Sequence, residues 1–140
     1  MRSCNPYIFA DNVRNNIRLG KKEITDEQII ELAKKIGGTS LLEKLPEGLD
    51  TKIKANELSY GELQMIAFIR AILHQANIYI FDEPTSNIDL KTEKMLQKII
   101  DHISETSTVI IIAHRKSTIA SSDKIIYLKG GEVDKIVNKN

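Results

Sequence analysis

Residues 78–89 read IYIFDEPTSNID. Four apolar residues, Ile78 to Phe81, run straight into two adjacent carboxylates, Asp82 and Glu83. A short apolar run closed by turn residues reads as a buried strand. A carboxylate at the carboxyl end of such a strand, in an open α/β sheet, points into the crevice where ligands bind. Asp82 suits a hard cation such as Mg²⁺, through oxygen or a bridging water. Glu83, one residue later, is placed to polarise an attacking water. Phosphoryl transfer asks mainly for positioning and charge neutralisation, which such a pair supplies. An Asp-Glu pair is also an ordinary solvated strand end, so the flanking sequence has to decide.

Downstream, Asp89 reads as the cap of a helix whose Leu96, Ile99, Ile100 and Ile103 share one face. TVIIIA, 108–113, has no polar alternation and reads as a second strand buried on both faces, as in a parallel sheet. His114 stands at its end, where an imidazole can meet a γ-phosphate or an attacking water, although a lone histidine is more often structural. Residues 116–122 read as a short helix. KIIYL and EVDKIV flank Gly130-Gly131 and predict a tight hairpin.

Upstream, SYGELQMIAFIRAILHQ begins with a capping box, Ser59 with Glu62, and is apolar enough for a buried helix. A hydroxyl and Gly61 at a helix start also make a ready anion site. Further back, Asp11–Ile17 is a short helix. Thr25 with Gln28 caps a second, stopped by Gly37-Gly38. Thr39–Leu45 is a third, ended by Pro46, and 48–57 is a polar link. The organisation is α/β: helical first, then alternating strand and helix, with no internal repeat.

The 140 residues suffice for one domain with a modest core. A net charge of +1 and 5% aromatic residues argue against a nucleic-acid surface or a base-stacking platform. The single Cys4 forms no internal disulfide and reads as an inert thiol in a reducing compartment. No signal peptide is visible, and no run reaches the ~18 apolar residues of a membrane span.

Order and spacing give these pieces their meaning. The helix start at Ser59 lies 23 residues before Asp82, and His114 lies 31 after Glu83. In this arrangement the chain resembles the nucleotide-binding domain of an ABC transporter from the Q-loop region onward. LSYGE (58–62) is similar to the signature LSGGQ, IYIFDE (78–83) to Walker B, SNID (86–89) to the D-loop, and AHR (113–115) to the histidine switch. NPYIFADNVRNNI (5–17) and RLGK…LLEKLPEGLDT resemble the exporter-type class, which exports lipids, drugs and peptides. The resemblance covers nearly the whole chain, and the combination is far more specific than any single motif.

The resemblance implies a partial P-loop NTPase fold: a Q-loop flank, helical subdomain and signature helix over 1–76, then the later strands of the RecA-like core over 77–140. It implies that Asp82 binds Mg²⁺ through water, that Glu83 is the base or water-positioning residue, and that His114 contacts the γ-phosphate. Asp89 would lie at a dimer interface. Ser59 and Gly61 would meet the γ-phosphate of ATP held by an opposing domain. The implied partners are a transmembrane domain and a second nucleotide-binding domain, at the cytoplasmic face of a membrane.

Several positions depart from the pattern. The Walker A string G-x-x-x-x-G-K-[ST] is not found in these residues; the nearest, Gly20-Lys21-Lys22, has Asn15 for the first Gly and Lys22 for Ser or Thr, and follows a helix. Cys4 falls where the Q-loop Gln belongs, and a thiol is a poor substitute for an amide oxygen at Mg²⁺. Tyr60 replaces a signature Gly, and Glu62 replaces its Gln. The link from Thr51 to Leu58 is shorter than the family's. The expectation is therefore a truncated or split exporter-type ATPase domain, with Met1 an internal start and negligible ATPase activity alone. A different class is a non-catalytic module that lends its signature face to a partner. A chromosome-maintenance or DNA-repair ATPase is less favoured, because there is no heptad run and the charge is neutral. Strands 78–82 and 108–113 are expected to expose apolar edges and faces, which makes a marginal, partner-dependent monomer.

Overall fold

The computed structural model describes residues 7–54, 57–84, 90–114 and 119–139. Helix α1 (Val13–Arg18) starts where the Asn12 side chain accepts the Asn15 N–H at 2.7 Å. The reading from Asp11 thus shifts by two residues, because Asn12 caps rather than joins the helix. α2 (Asp26–Lys35) opens with the expected Thr25–Gln28 capping box. Gly37 follows in the left-handed region, at φ 90°, which an L side chain rarely adopts. The next residue, Gly38, donates to Ala33 O at 2.6 Å, and a Cβ there would sit 3.0 Å from that oxygen. A side chain is thus disfavoured at both positions of this reversal, by backbone conformation at Gly37 and by close approach at Gly38.

α3 (Thr39–Glu43) is shorter than expected, and Lys44 is its C-cap. The segment after it is more than a loop. A 3-10 turn covers Gly48–Asp50, and Lys52 bridges antiparallel to Asn12. Two hydrogen bonds of 3.0 Å, Val13 N–H to Thr51 O and Ile53 N–H to Asp11 O, fix that bridge. α4 (Tyr60–Leu73) carries the predicted capping box.

β1 (Ile78–Asp82), α5 (Leu90–Ser104) and β2 (Thr108–Ile112) form a βαβ unit. The strands pair in parallel, from Ile78 opposite Thr108 to Asp82 opposite Ile112. β3 (Lys124–Lys129) and β4 (Glu132–Asn138) form the predicted hairpin as a separate antiparallel sheet, with Gly130 and Gly131 both at positive φ. The expected short helix over 116–122 and the cap at Asp89 fall largely or wholly outside the described residues.

The core lies among the helices. Val13, Ile17, Ile29, Ile36, Ile66, Ile69 and Ile99 are each essentially inaccessible. The parallel sheet joins this core by one face only. Tyr79, Phe81 and Val109 pack inward, and Phe81 meets Phe68 edge-on at 5.8 Å. The other face carries Ile78, Ile80, Ile110 and Ile112, which are 46–66% exposed. Strands read as buried on both faces are therefore half covered: the apolar run is present, and the described residues cover one side of it. This agrees with the expectation of bare apolar strand faces.

A charged cluster ties the helical part together. Arg14 clamps Asp26 with two 2.8 Å hydrogen bonds, Arg18 adds a third at 2.9 Å, and Arg14 also pairs with Asp50. The hydrogen bonds from Arg14 hold the Asp26 carboxyl below its ordinary value near 3.8. A carboxyl depressed in the folded state stabilises above the unfolded value and loses that contribution as pH falls through the folded one. The melting temperature should therefore decline as pH drops below about 4. Arg14→Met should flatten part of that acid decline; thermal melts from pH 2 to 7 check this, and an unchanged acid limb in the variant rejects it. Because Arg14 and Asp26 are partly exposed, the effect should be modest.

Candidate nucleotide site

Parallel pairing brings the carboxyl ends of β1 and β2 side by side. Glu83 makes one more ladder bond, donating its N–H to Ile112 O at 2.8 Å, and then turns at φ 46°. A left-handed conformation at a residue other than glycine costs about 1–2 kcal/mol. It is held here at the point where the chain leaves the sheet, and such strain clusters at functional sites. Beyond β2 the chain passes Ala113 to His114, whose Nε2 lies 3.1 Å from Glu83 Oε1. The sequence-predicted base and switch histidine, 31 positions apart, are thus in direct contact.

Both side chains are open to solvent, with Glu83 43% and His114 86% exposed. A carboxylate oriented by an imidazole N–H can accept a proton from, or align, a water. Asp82 stands on the exposed face of β1, on the same side as Ile78 and Ile80. The described residues contain no group of three or more His, Cys, Asp or Glu that could hold a metal alone. One or two carboxylates with substrate phosphates is the usual mode for Mg²⁺, and hard oxygen donors at Asp82 and Glu83 fit it.

The signature turn sits on a different element. Ser59 Oγ accepts from Glu62 N–H at 3.3 Å, and Glu62 Oε2 accepts from Ser59 N–H at 2.7 Å. Its oxygen is engaged in the cap, while its own proton remains available to donate. Gly61 follows in the first turn, and the Tyr60 hydroxyl accepts from Gln64 Nε2 at 3.1 Å. Lys44 Nζ reaches Glu62 Oε1 at 2.6 Å. Nothing in the sequence singles out Lys44, because the pair spans 18 residues and two helices. Cys4 and the SNID segment with Asp89 lie outside the described residues.

A family model described as ABC transporter matches residues 6–86, which include the signature turn and the Asp82-Glu83 strand end. The chain belongs to the ABC transporter family. Among its relatives, ABC transporter B family member 14 of Arabidopsis thaliana is 41% identical over 94% of this chain and 11% of its own length. A probable multidrug resistance ABC transporter ATP-binding/permease protein, YheH of Bacillus subtilis, is 38% identical over 91% of this chain and 19% of its own. The ATP-dependent lipid A-core flippase of Francisella novicida is 37% identical over 94% of this chain and 23% of its own. The solved structure of a bacterial Atm1-family ABC exporter with ATP bound superposes with a TM-score of 0.82 at 31% identity, covering 96% of this chain and 24% of that one. The chain thus spans between about a tenth and a quarter of these relatives. Its fold is that of part of an ABC ATPase domain, in which helices α1–α4 precede later strands of the core. No helix among the described residues is long and apolar enough to cross a membrane.

Proposed function

We propose that these residues are part of the ATP-binding and hydrolysing component of an ABC exporter. Residues 77–140 supply the magnesium and water side of a nucleotide site, and residues 1–76 supply the Q-loop flank, helical subdomain and signature helix. The observation that carries this reading is the 3.1 Å contact between Glu83 and His114, at adjoining ends of two parallel strands, in a chain of this family. Asp82 would hold Mg²⁺, which when bound neutralises phosphate charge. Glu83 aligns the attacking water, and His114 orients Glu83 and meets the γ-phosphate. Ser59 and Gly61 face the γ-phosphate of ATP on an opposing nucleotide-binding domain, with Asp89 at that interface. A transmembrane partner would place the assembly at the cytoplasmic face of a membrane.

The 140 residues hold no G-x-x-x-x-G-K-[ST] string, so hydrolysis requires that loop from further polypeptide. The chain by itself is therefore expected to have negligible ATPase activity. Lending a signature face in trans is a second reading, favoured by the intact Ser59–Glu62 cap. Mixed with the ATP-binding part of the Bacillus subtilis relative, the chain should form a heterodimer in sizing experiments with ATP and not without it. Association indifferent to ATP would reject the trans role of Ser59 and Gly61. Robust, Glu83-dependent hydrolysis by the chain alone would reject the need for an external phosphate loop.

A further inference from the structure

Glu62 creates an electrostatic problem at the signature turn. It occupies the third position of α4, where the family signature has an uncharged Gln, and its side chain is only 15% exposed. Burial works against its charge. The hydrogen bond from Lys44 and those with Ser59 outweigh that, and hold the carboxyl below the usual carboxylate range. Glu62 is therefore an anion, three residues from the hydroxyl that would meet an ATP phosphate. Such a charge competes for the positive end of the helix and repels a second anion.

The relief comes from outside the motif. Lys44 is the C-cap of α3, and its ammonium lies 2.6 Å from Glu62 Oε1, opposite the oxygen that accepts from Ser59 N–H at 2.7 Å. We propose that Lys44 is a positioning residue of the signature turn: its ammonium neutralises Glu62, so that the turn can receive a triphosphate oxygen although Glu stands in place of Gln. This rests on the reading of Ser59 and Gly61 as a trans ATP contact. It makes a Lys–Glu pair across two helices equivalent to one neutral amide.

A surface ion pair with a merely structural role behaves differently, and a double-mutant cycle separates the two. Gln at position 62 keeps the cap, since its amide oxygen also accepts from the N-cap N–H. The intact chain is titrated into the ATP-binding part of the Bacillus subtilis relative with ATP. Lys44→Met should weaken association about fivefold, and added salt should narrow that gap, as for a partly exposed charge. Glu62→Gln should bind at least as tightly as the unaltered chain. The double variant should return to within about twofold of it, because the uncompensated charge is gone. Thermal melts of all four chains separate binding from folding. Equal affinity of Lys44→Met, or a loss that Glu62→Gln does not rescue, overturns the role of Lys44 while leaving the trans contact in place. Absence of ATP-dependent association by the unaltered chain removes both.

Discussion

Glu83→Gln should lower ATP hydrolysis by about a hundredfold or more, the usual contribution of a positioned base, in a chimera where this chain replaces the matching 130 residues of the Bacillus subtilis relative. The physical reason is local. Glu83 and its amide analogue have nearly the same shape, so the left-handed turn at φ 46° and the ladder bond to Ile112 O should persist. What changes is charge and proton acceptance at the oxygen that faces His114 at 3.1 Å. Gln keeps an acceptor for the imidazole N–H, yet cannot take a proton from water. ATP binding should therefore survive while turnover falls, so kcat drops with little change in KM. His114→Ala should cost less than Glu83→Gln, because it removes the group that orients the base rather than the base. Steady-state hydrolysis, with nucleotide binding measured in parallel, decides this. A Glu83→Gln chimera that keeps more than a tenth of the parent rate would show that the carboxylate is not the base.

The strand ends were legible in the sequence because their signal is local. An apolar run, a carboxylate pair and a histidine after the next apolar run fix a βαβ unit, and parallel pairing then leaves Glu83 and His114 little choice but to meet. The helix starts at Thr25 and Ser59 were legible for the same reason: a capping box is three residues long. The coverage of the sheet was not legible. Ile78, Ile80, Ile110 and Ile112 belong to a pattern that suits burial on both faces, and sequence does not say which polypeptide covers the second face. Lys44 was invisible because an ion pair between two helices has no sequence period. The same holds for the bridge between Asn12 and Lys52, which replaced an expected polar link.

Asn16→Leu should destabilise the chain by about 2 kcal/mol or more, roughly 8 °C in melting temperature for a domain of this size. Asn16 is fully inaccessible, the one polar residue buried with the core among those described. Its amide donates to Phe9 O and Asn12 O, both at 3.0 Å, and to Asp11 O at 3.3 Å. Its oxygen accepts from Phe9 N–H at 2.8 Å and from Arg70 Nη2 at 3.3 Å. Leucine has the same branched skeleton and is no smaller, so the loss is not a cavity. It is mainly the desolvation of Phe9 N–H, which loses its acceptor, at about 1–3 kcal/mol. Phe9 O, Asp11 O and Asn12 O lose a second donor but keep the N–H groups of Asp11, Ile53 and Asn16. Arg70 completes the network. Nε donates to Asn16 O at 2.6 Å, Nη1 donates to Tyr7 O at 2.9 Å, and the guanidinium lies 5.9 Å from the Phe9 ring centroid.

Two further variants separate hydrogen bonding from charge. Asn16→Asp places an anion beside Arg70, so pure electrostatics would stabilise it. It also turns a donor toward three carbonyl oxygens into a second acceptor, which should make it destabilising overall. Arg70→Met should cost less in the Asn16→Leu background than in the parent, because the two side chains share partners. Urea unfolding of the parent, the three single variants and the Asn16→Leu/Arg70→Met double variant measures these differences. An Asn16→Leu loss below 1 kcal/mol, or strict additivity with Arg70→Met, would mean that backbone polar groups of residues 7–12 find water instead. The expected coupling has a corollary. Arg70 lies in the last turn of α4, and residues 7–12 lie within the segment 5–17 that resembles the stretch just after the Q-loop. The same buried amide that holds the fold therefore ties α4 to residues 7–12, and a displacement of either must be felt by the other.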